Sequence, residues 1–336
     1  MTLKTPDFWY RNEDDAPPAQ ERALELISGL YEFAHNLHQK TANPYKARIP
    51  VICIGNIVAG GTGKTPTTLA LLDLVRKNGL AQNPFIMIRG YGGAEKGPLR
   101  ADPEKHSAWE IGDEALILAK YAPTIVAADR AAGAKLAESN GADMILMDDG
   151  LQNPGIHKDI KIVVINGEMG FGNKKLLPAG PLRQPLAHGL KNADAFIIIG
   201  EDKRDAKNEM PADKKLIKAT LAQKETKTPD TNPQQKYLAF AGLGYPQKFF
   251  RFLKEKTSLN IVETLPFSDH HPYDEYELRR LHEHAQKLDA KLITTEKDLM
   301  RLPKIEGIDV ETVQVEIHWE KEDEILDIIK TSIQAR

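Results

Sequence analysis

The segment Ile54 to Pro66 reads IGNIVAGGTGKTP, a glycine-rich turn that follows an apolar run and leads into a helical one. Gly60, Gly61, Thr62 and Gly63 can turn their backbone N–H groups toward one anion, and the helix N-terminus that follows adds a positive dipole. Lys64 supplies a point charge for phosphate oxygens, and Thr65 a hydroxyl of the kind that ligates Mg2+. The spacing departs from the strict GxxxxGK(S/T) pattern, whose first glycine falls here on Val58. A glycine-rich strand-to-helix turn with an incidental lysine is the competing reading. A nucleotide site also needs an acidic strand end to hold its metal, and ADMILMDDG at Ala142 to Gly150 ends an apolar run in Asp148 and Asp149. In open α/β sheets ligands sit at that end of the strands. Without the glycine loop, the same two aspartates would read as the start of a turn.

Other candidates are ambiguous by themselves. Asp113 precedes an apolar helical run, where an aspartate reads as a helix N-cap, and Glu114 reads as a first-turn glutamate. His270 and His271, before Pro272, fit a loop or one half of a metal site, with no cysteine beside them. The one cysteine, Cys53, lies in the apolar run VICI and reads as a small buried hydrophobe. A lone cysteine excludes an internal disulfide framework and any cysteine-based zinc cluster, and a reducing cytosol suits it.

The elements that must position these residues show in the apolar pattern. From Arg48 onward, short β-type runs alternate with segments of helix length: VICIG, Thr67 to Lys77, PFIMIR, Asp113 to Tyr121, TIVAA, Arg130 to Ser139, MILMDD and IKIVVIN. AFIIIG at Ala195 to Gly200 closes the unit. Strands apolar throughout indicate a mostly parallel sheet covered by helices on both faces. Residues 206–235, rich in Lys, Asp, Thr and Pro, read as a linker between a domain at 48–205 and a smaller α/β domain at 236–336. The smaller pattern runs YLAFAG, a helix at Pro246 to Lys256, NIVETL, a helix at Asp274 to Leu288, KLITT, VETVQVEI and a closing helix. Ahead of both, residues 1–47 carry Ala23, Leu24, Ile27, Leu30, Tyr31, Ala34 and Leu37 on one face of an amphipathic helix.

Bulk properties bound the possibilities. The 336 residues are 41% hydrophobic and 28% charged, an ordinary globular balance with length for about two domains. With 45 basic against 48 acidic residues, the net charge of -3 argues against a nucleic-acid binder. The N-terminus lacks a secretory h-region, and the longest apolar runs fall far short of the ~20 residues of a spanning helix.

Seven segments occur in order along the chain: GGTGKTP, RGYGG, GDEAL at Gly112 to Leu116, DDGLQ, LLPAGPLRQP at Leu176 to Pro185, FSDHH at Phe267 to His271 and TTEKD at Thr294 to Asp298. With PDFWY near the N-terminus, they closely resemble the tetraacyldisaccharide 4'-kinase family of lipid A biosynthesis, over most of the chain. The resemblance implies a phosphate-loop NTPase-like N-terminal domain, a smaller α/β C-terminal domain and an active site in the cleft between them. It implies transfer of the ATP γ-phosphate, with Mg2+, to the 4'-hydroxyl of a tetraacylated glucosamine disaccharide 1-phosphate. The family shares the glycine spacing that misses the strict pattern.

Carried over residue by residue, the resemblance gives Lys64 the β- and γ-phosphate oxygens and sets Thr65, Asp148 and Asp149 around Mg2+. Asp113 would act as base toward the acceptor hydroxyl, aided by His270 from the other domain. Arg89, Arg130 and Arg183, at strand ends or in motif loops, would bind phosphate through their guanidinium forks. Departures are small: Leu151 and Asn153 stand where DDGFQH is more usual, and Gln184 where Glu is common. Asn153 leaves no histidine to act there.

An acylated acceptor implies a peripheral enzyme on the cytoplasmic face of the inner membrane. The Ala23 to Leu37 face, preceded by Phe8, Trp9 and Tyr10, is the expected contact; the alternative is a helix packed on the protein's own core. A phosphate-loop NTPase acting as a switch or in metal-cofactor delivery is the competing function. A switch would not need the GDE, DHH and LLPAGPLR segments.

Overall fold

The structure is a computed structural model and describes residues 6–11, 16–224, 234–334 and 336. A 3₁₀ turn at Asp7–Tyr10 precedes α1 (Ala19–Thr41). The chain then passes through β1 (Val51–Gly55), α2 (Lys64–Lys77), β2 (Pro84–Ile88), β3 (Leu99–Arg100), α3 (Ala108–Ile111), α4 (Asp113–Ala119), β4 (Thr124–Val126), α5 (Arg130–Ser139) and β5 (Met144–Asp148). β6 (Ile160–Asn166), α6 (Leu186–Asn192), β7 (Ala195–Ile199) and β8 (Lys215–Gln223) follow. The remainder comprises β9 (Lys236–Ala241), α7 (Pro246–Lys256), β10 (Asn260–Pro266), α8 (Glu275–Lys287), β11 (Ala290–Thr295), α9 (Glu296–Leu299), β12 (Val310–Val313), β13 (Val315–Trp319) and α10 (Glu322–Gln334).

These strands form two sheets among the described residues. The larger has the order β13-β8-β7-β6-β1-β5-β2-β4-β3 and is parallel except at its edges, where β13 opposes β8 and β3 opposes β4. The smaller, β10-β9-β11-β12, is parallel throughout. VICIG, PFIMI, MILMD and AFIII are buried at every position. Alternate side chains enter opposite cores: Ile52, Ile54 and Leu146 meet Leu71 and Val75 of α2, while Val51, Cys53 and Met147 share a cluster with Ala134 and Ala137 of α5. Register then delivers the site. Ile54 pairs with Asp148 across β1 and β5, so the glycine loop and the acidic strand end leave the sheet side by side.

Two expected boundaries are corrected. β8 lies within 206–235, the stretch whose composition reads as a linker, and it extends the large sheet beyond AFIII by pairing with β7. Composition conceals it because only Ile217 and Ala219 are buried, while Lys215 at its start and Lys218 and Thr220 on the opposite face are exposed. Residues 225–233 of that stretch lie outside the described residues. The run VETVQVEI also divides. β12 joins the small sheet, and after Gln314 β13 crosses back to the large one. α10 follows, burying Ile325, Leu326 and Ile329 in the large core, so the small sheet and its helices draw on 236–313 only.

α1 forms where its periodicity predicts, but it docks through polar groups. Its buried residues are Glu21 and Ser28, whereas Leu26, Ile27, Leu30, Phe33 and Leu37 are exposed. Glu21 pairs with Arg11 at 2.9 Å and with Lys175 at 2.8 Å. Ser28 Oγ donates to the Leu176 carbonyl, Tyr31 Oη to that of Arg183, and Gln39 Nε2 to that of Gln152. Tyr31 therefore belongs to the inward face, contrary to its place in the expected apolar stripe.

Candidate active site

The loop after β1 enters α2 through Gly63, the N-cap, at φ +96°. A side chain is disfavoured there, and a Cβ would also meet Ile199 Cδ1 at 2.6 Å. Asn56, fully buried, donates from Nδ2 to Thr62 Oγ1 at 3.2 Å and so ties the loop to the strand end. At the first turn of α2, Lys64 Nζ lies 3.5 Å from Asp149 Oδ2, and Thr65 Oγ1 donates to Asp148 Oδ2 at 3.0 Å. Lysine and hydroxyl thus each address one of the paired carboxylates.

Those carboxylates differ in environment. Asp148 is buried and its Oδ1 has no hydrogen-bond partner. Burial, reinforced by the nearby Glu114 charge, pushes its carboxyl up to about 7 in spite of Lys64. An orphaned carboxylate oxygen beside a threonine hydroxyl fits a hard divalent cation such as Mg2+, whose remaining positions phosphate and water can fill. Among the described residues no group of three His, Cys, Asp or Glu side chains could hold a metal by itself. Asp149, at φ +57°, turns elsewhere: Arg183 Nη1 donates to its two oxygens at 2.9 and 3.0 Å. Burial opposes its charge, yet Lys64 and Arg183 hold the carboxyl below the usual range.

Of the three expected arginines, Arg183 and Arg130 contact this pair and Arg89 does not. Arg183 is the clamp on Asp149 just described. Arg130, at the start of α5, is buried; it donates from Nη1 to the Ala127 carbonyl and from Nη2 to that of Asp149, and its Nε has no partner. Burial pulls its guanidinium down to about 10, with the Arg89 charge contributing. Arg89 itself follows β2 and is exposed.

A second cluster, around Asp113, is built across the two sheets. Asp113 opens α4 but is not its cap, which is Gly112. Its Oδ1 accepts from the Glu114 backbone N–H at 3.0 Å, and its Oδ2 meets the loop after β10, where His270 Nδ1 lies 3.4 Å away. His270 is held at φ +53°, with its ring 5.9 Å from that of Tyr91 in RGYGG. Burial would raise the Asp113 carboxyl, but His270, Lys297 and Arg301 together hold it well below the usual range. The hydrogen bond to Asp113 in turn raises the His270 imidazole against its own burial. His271 behaves otherwise: it bonds Glu277 at 3.0 Å and packs against Phe267 and Tyr273.

Sequence reasoning missed two partners here. Arg301 donates to Asp113 Oδ2 through Nε at 2.9 Å and Nη2 at 2.5 Å, and Lys297 pairs with Glu114. The available signal was the TTEKD segment, which contains Lys297 and begins the short α9 whose next turn carries Arg301.

Comparison with known proteins is consistent with this geometry. Residues 20–334 match the family described as Tetraacyldisaccharide-1-P 4'-kinase. A tetraacyldisaccharide 4'-kinase of Rhodospirillum centenum is 43% identical over 321 residues, covering 96% of this chain and 94% of that one. One of Gluconacetobacter diazotrophicus is 42% identical over 317 residues, 94% of each chain. Among solved structures, LpxK from Aquifex aeolicus, crystallised in complex with ATP, is similar with a TM-score of 0.77 at 27% identity, over 94% of this chain and 99% of that one. The expected α/β architecture, mostly parallel and of phosphate-loop kinase type, is thus the one observed. Sequence and fold agree over nearly the whole length, and the chain belongs to the tetraacyldisaccharide-1-P 4'-kinase family.

Proposed function

We propose that the protein transfers the γ-phosphate of ATP to the 4'-hydroxyl of a tetraacylated glucosamine disaccharide 1-phosphate, a lipid A precursor. The Asp113–His270 contact carries this reading: a carboxylate only 3% exposed on the large domain meets an imidazole from the small one. Asp113 opens α4, and His270 lies in the loop that leaves the C-terminal end of β10. A nucleotide switch or metal-delivery NTPase has no use for an acceptor-activating pair assembled from two sheets, and the family is named for the kinase activity.

Phosphoryl transfer is mostly positioning and charge neutralisation. The backbone of Gly60 to Gly63 and the N-terminus of α2 receive the phosphates, with Lys64 already drawn to their edge by Asp149. Thr65 and Asp148 are the residues that would hold Mg2+, and Asp149 positions Lys64 and Arg183. When bound, the cation offsets charge on the phosphate oxygens. Arg89, Arg130 and Arg183 add fixed positive charge on the same side. Asp113, ionised at neutral pH, accepts the hydrogen bond of the sugar hydroxyl, and the proton passes to the Asp113–His270 pair as the new O–P bond forms and the bond from the γ-phosphorus to the bridging oxygen breaks, releasing ADP.

The proposed workplace is the cytoplasmic face of the inner membrane. No helix among the described residues is long and apolar enough to cross a membrane. α1 instead offers an exposed apolar face suited to lying in the interface, and its inner face grips the LLPAGPLRQP loop at Leu176, Ala179 and Arg183. The lipid-facing surface and the Arg183 clamp therefore share one support.

The test is ATP-dependent labelling of a lipid A disaccharide 1-phosphate precursor. Wild type labels it, and Lys64→Ala and Asp113→Ala each lose about 10²-fold or more in rate. A wild type that hydrolyses ATP yet never labels this acceptor overturns the kinase reading.

A further inference from the structure

Arg301 is 9% exposed and is held at both ends. Its Nη1 donates to the Gly242 carbonyl at 3.2 Å and to Asp298 Oδ1 at 3.3 Å, while Nε and Nη2 reach across the cleft to Asp113 Oδ2. Asp298 is fully buried and is itself fixed by the Gly242 N–H at 2.9 Å, the Tyr273 hydroxyl at 3.0 Å and the Thr295 hydroxyl at 2.6 Å. The same Gly242 carbonyl accepts the backbone N–H of His270 at 3.1 Å. Arg301 and His270 therefore hang from one rigid point of the small domain and converge on one oxygen of Asp113. A planar fork bound to a carboxylate fixes direction as well as charge.

We propose that Arg301 is a positioning residue for phosphoryl transfer: anchored on buried Asp298, it aims the Asp113 carboxylate at the acceptor hydroxyl and keeps His270 in register with it. This rests on the kinase reading above. The other charged groups facing the pair are Lys297, itself bound to Glu114, on the Asp113 side, and Asp269, with Nε2 of His270 3.9 Å from its Oδ1, on the histidine side. Removing the Arg301 charge takes a cation from Asp113 and a repelling charge from His270, so both groups titrate at higher pH. Whichever member of the pair must be unprotonated, the acid limb of the rate profile moves the same way.

The experiment compares wild type, Arg301→Met and Arg301→Lys in steady-state labelling of the lipid A precursor across pH, with thermal melts of each. Arg301→Met is expected to lower kcat about 10- to 100-fold, keep KM for ATP within about twofold and move the acid limb of kcat up by about one pH unit. Arg301→Lys, which retains charge without the fork, is expected to restore the acid limb but only part of kcat. An unmoved limb in Arg301→Met, a loss expressed in KM for ATP alone, or full activity in Arg301→Lys overturns the proposal. Should Arg301→Met fail to fold, Arg301→Gln takes its place under the same criteria. A wild type that never labels the acceptor overturns the kinase reading and this proposal with it, whereas a labelling wild type with an unmoved limb overturns this proposal alone.

Discussion

Replacing Leu26, Leu30 and Phe33 together by serine should separate the proposed membrane contact from folding. These residues are 82%, 71% and 69% exposed, whereas α1 is held from its other side by Glu21, Ser28, Tyr31 and Gln39. Serine costs about 0.5 kcal/mol of helix propensity per site, too little to release a helix anchored through those polar contacts. Burying one such side chain is worth about 2 kcal/mol, and a helix lying in the interface buries about half of it, so the three substitutions forfeit about 3 kcal/mol of membrane binding. That is about a hundredfold in partition coefficient. Co-sedimentation with phospholipid vesicles measures it, with melting temperature and ATP hydrolysis as controls expected to change little. The polar flank of the stripe carries Glu25 and Glu32 rather than a basic cluster, so wild-type binding should also be nearly insensitive to salt. Unchanged partition in the triple variant refutes the reasoning. So does a fall in melting temperature that accounts for the lost binding, because it would place the three side chains in a packed interface.

Two further outcomes follow from buried groups. Arg11 first and Lys175 second hold the Glu21 carboxyl at about 2, so its stabilising contribution is complete above the ordinary carboxylate range and disappears as pH falls from about 4.5 toward 2. Glu21→Gln should therefore lower stability by about 1–3 kcal/mol at pH 7, with a gap to wild type that closes in acid denaturation curves; a gap independent of pH contradicts the ion-pair account. Cys53 is fully buried, and burial pushes its thiol up to about 11. Maleimide should leave it unlabelled at pH 8 until denaturant is added, and prompt labelling of the native protein would contradict its place between the sheet and α5.

The nucleotide half of the site was legible because its parts are contiguous. IGNIVAGGTGKTP contains its own strand, turn and helix start, and the register of two apolar strands carries MILMDD beside it. The roles of Asp148 and Asp149 were not legible, since the backbone turn at Asp149 decides which carboxylate keeps an orphaned oxygen and which meets Arg183. β8 escaped notice because only Ile217 and Ala219 of its nine residues are buried and it carries Lys215 and Lys218, so by composition it resembles a polar linker. The direction in which α1 faces was likewise hidden. Periodicity defines an apolar stripe but does not say whether protein or solvent lies opposite it, and here four polar contacts settle the orientation.

By itself the sequence determined the alternation of strand and helix, the phosphate loop and the acidic strand end, because each depends on neighbours a few positions apart. Tertiary structure alone decided that Arg301 meets Asp113 from 188 residues away, that VETVQVEI divides between two sheets, and that the polar side of α1 turns inward. Those outcomes depend on which surfaces the packed sheets bring together, and burial makes an unpaired charge far costlier at such a meeting point than anywhere along the open chain.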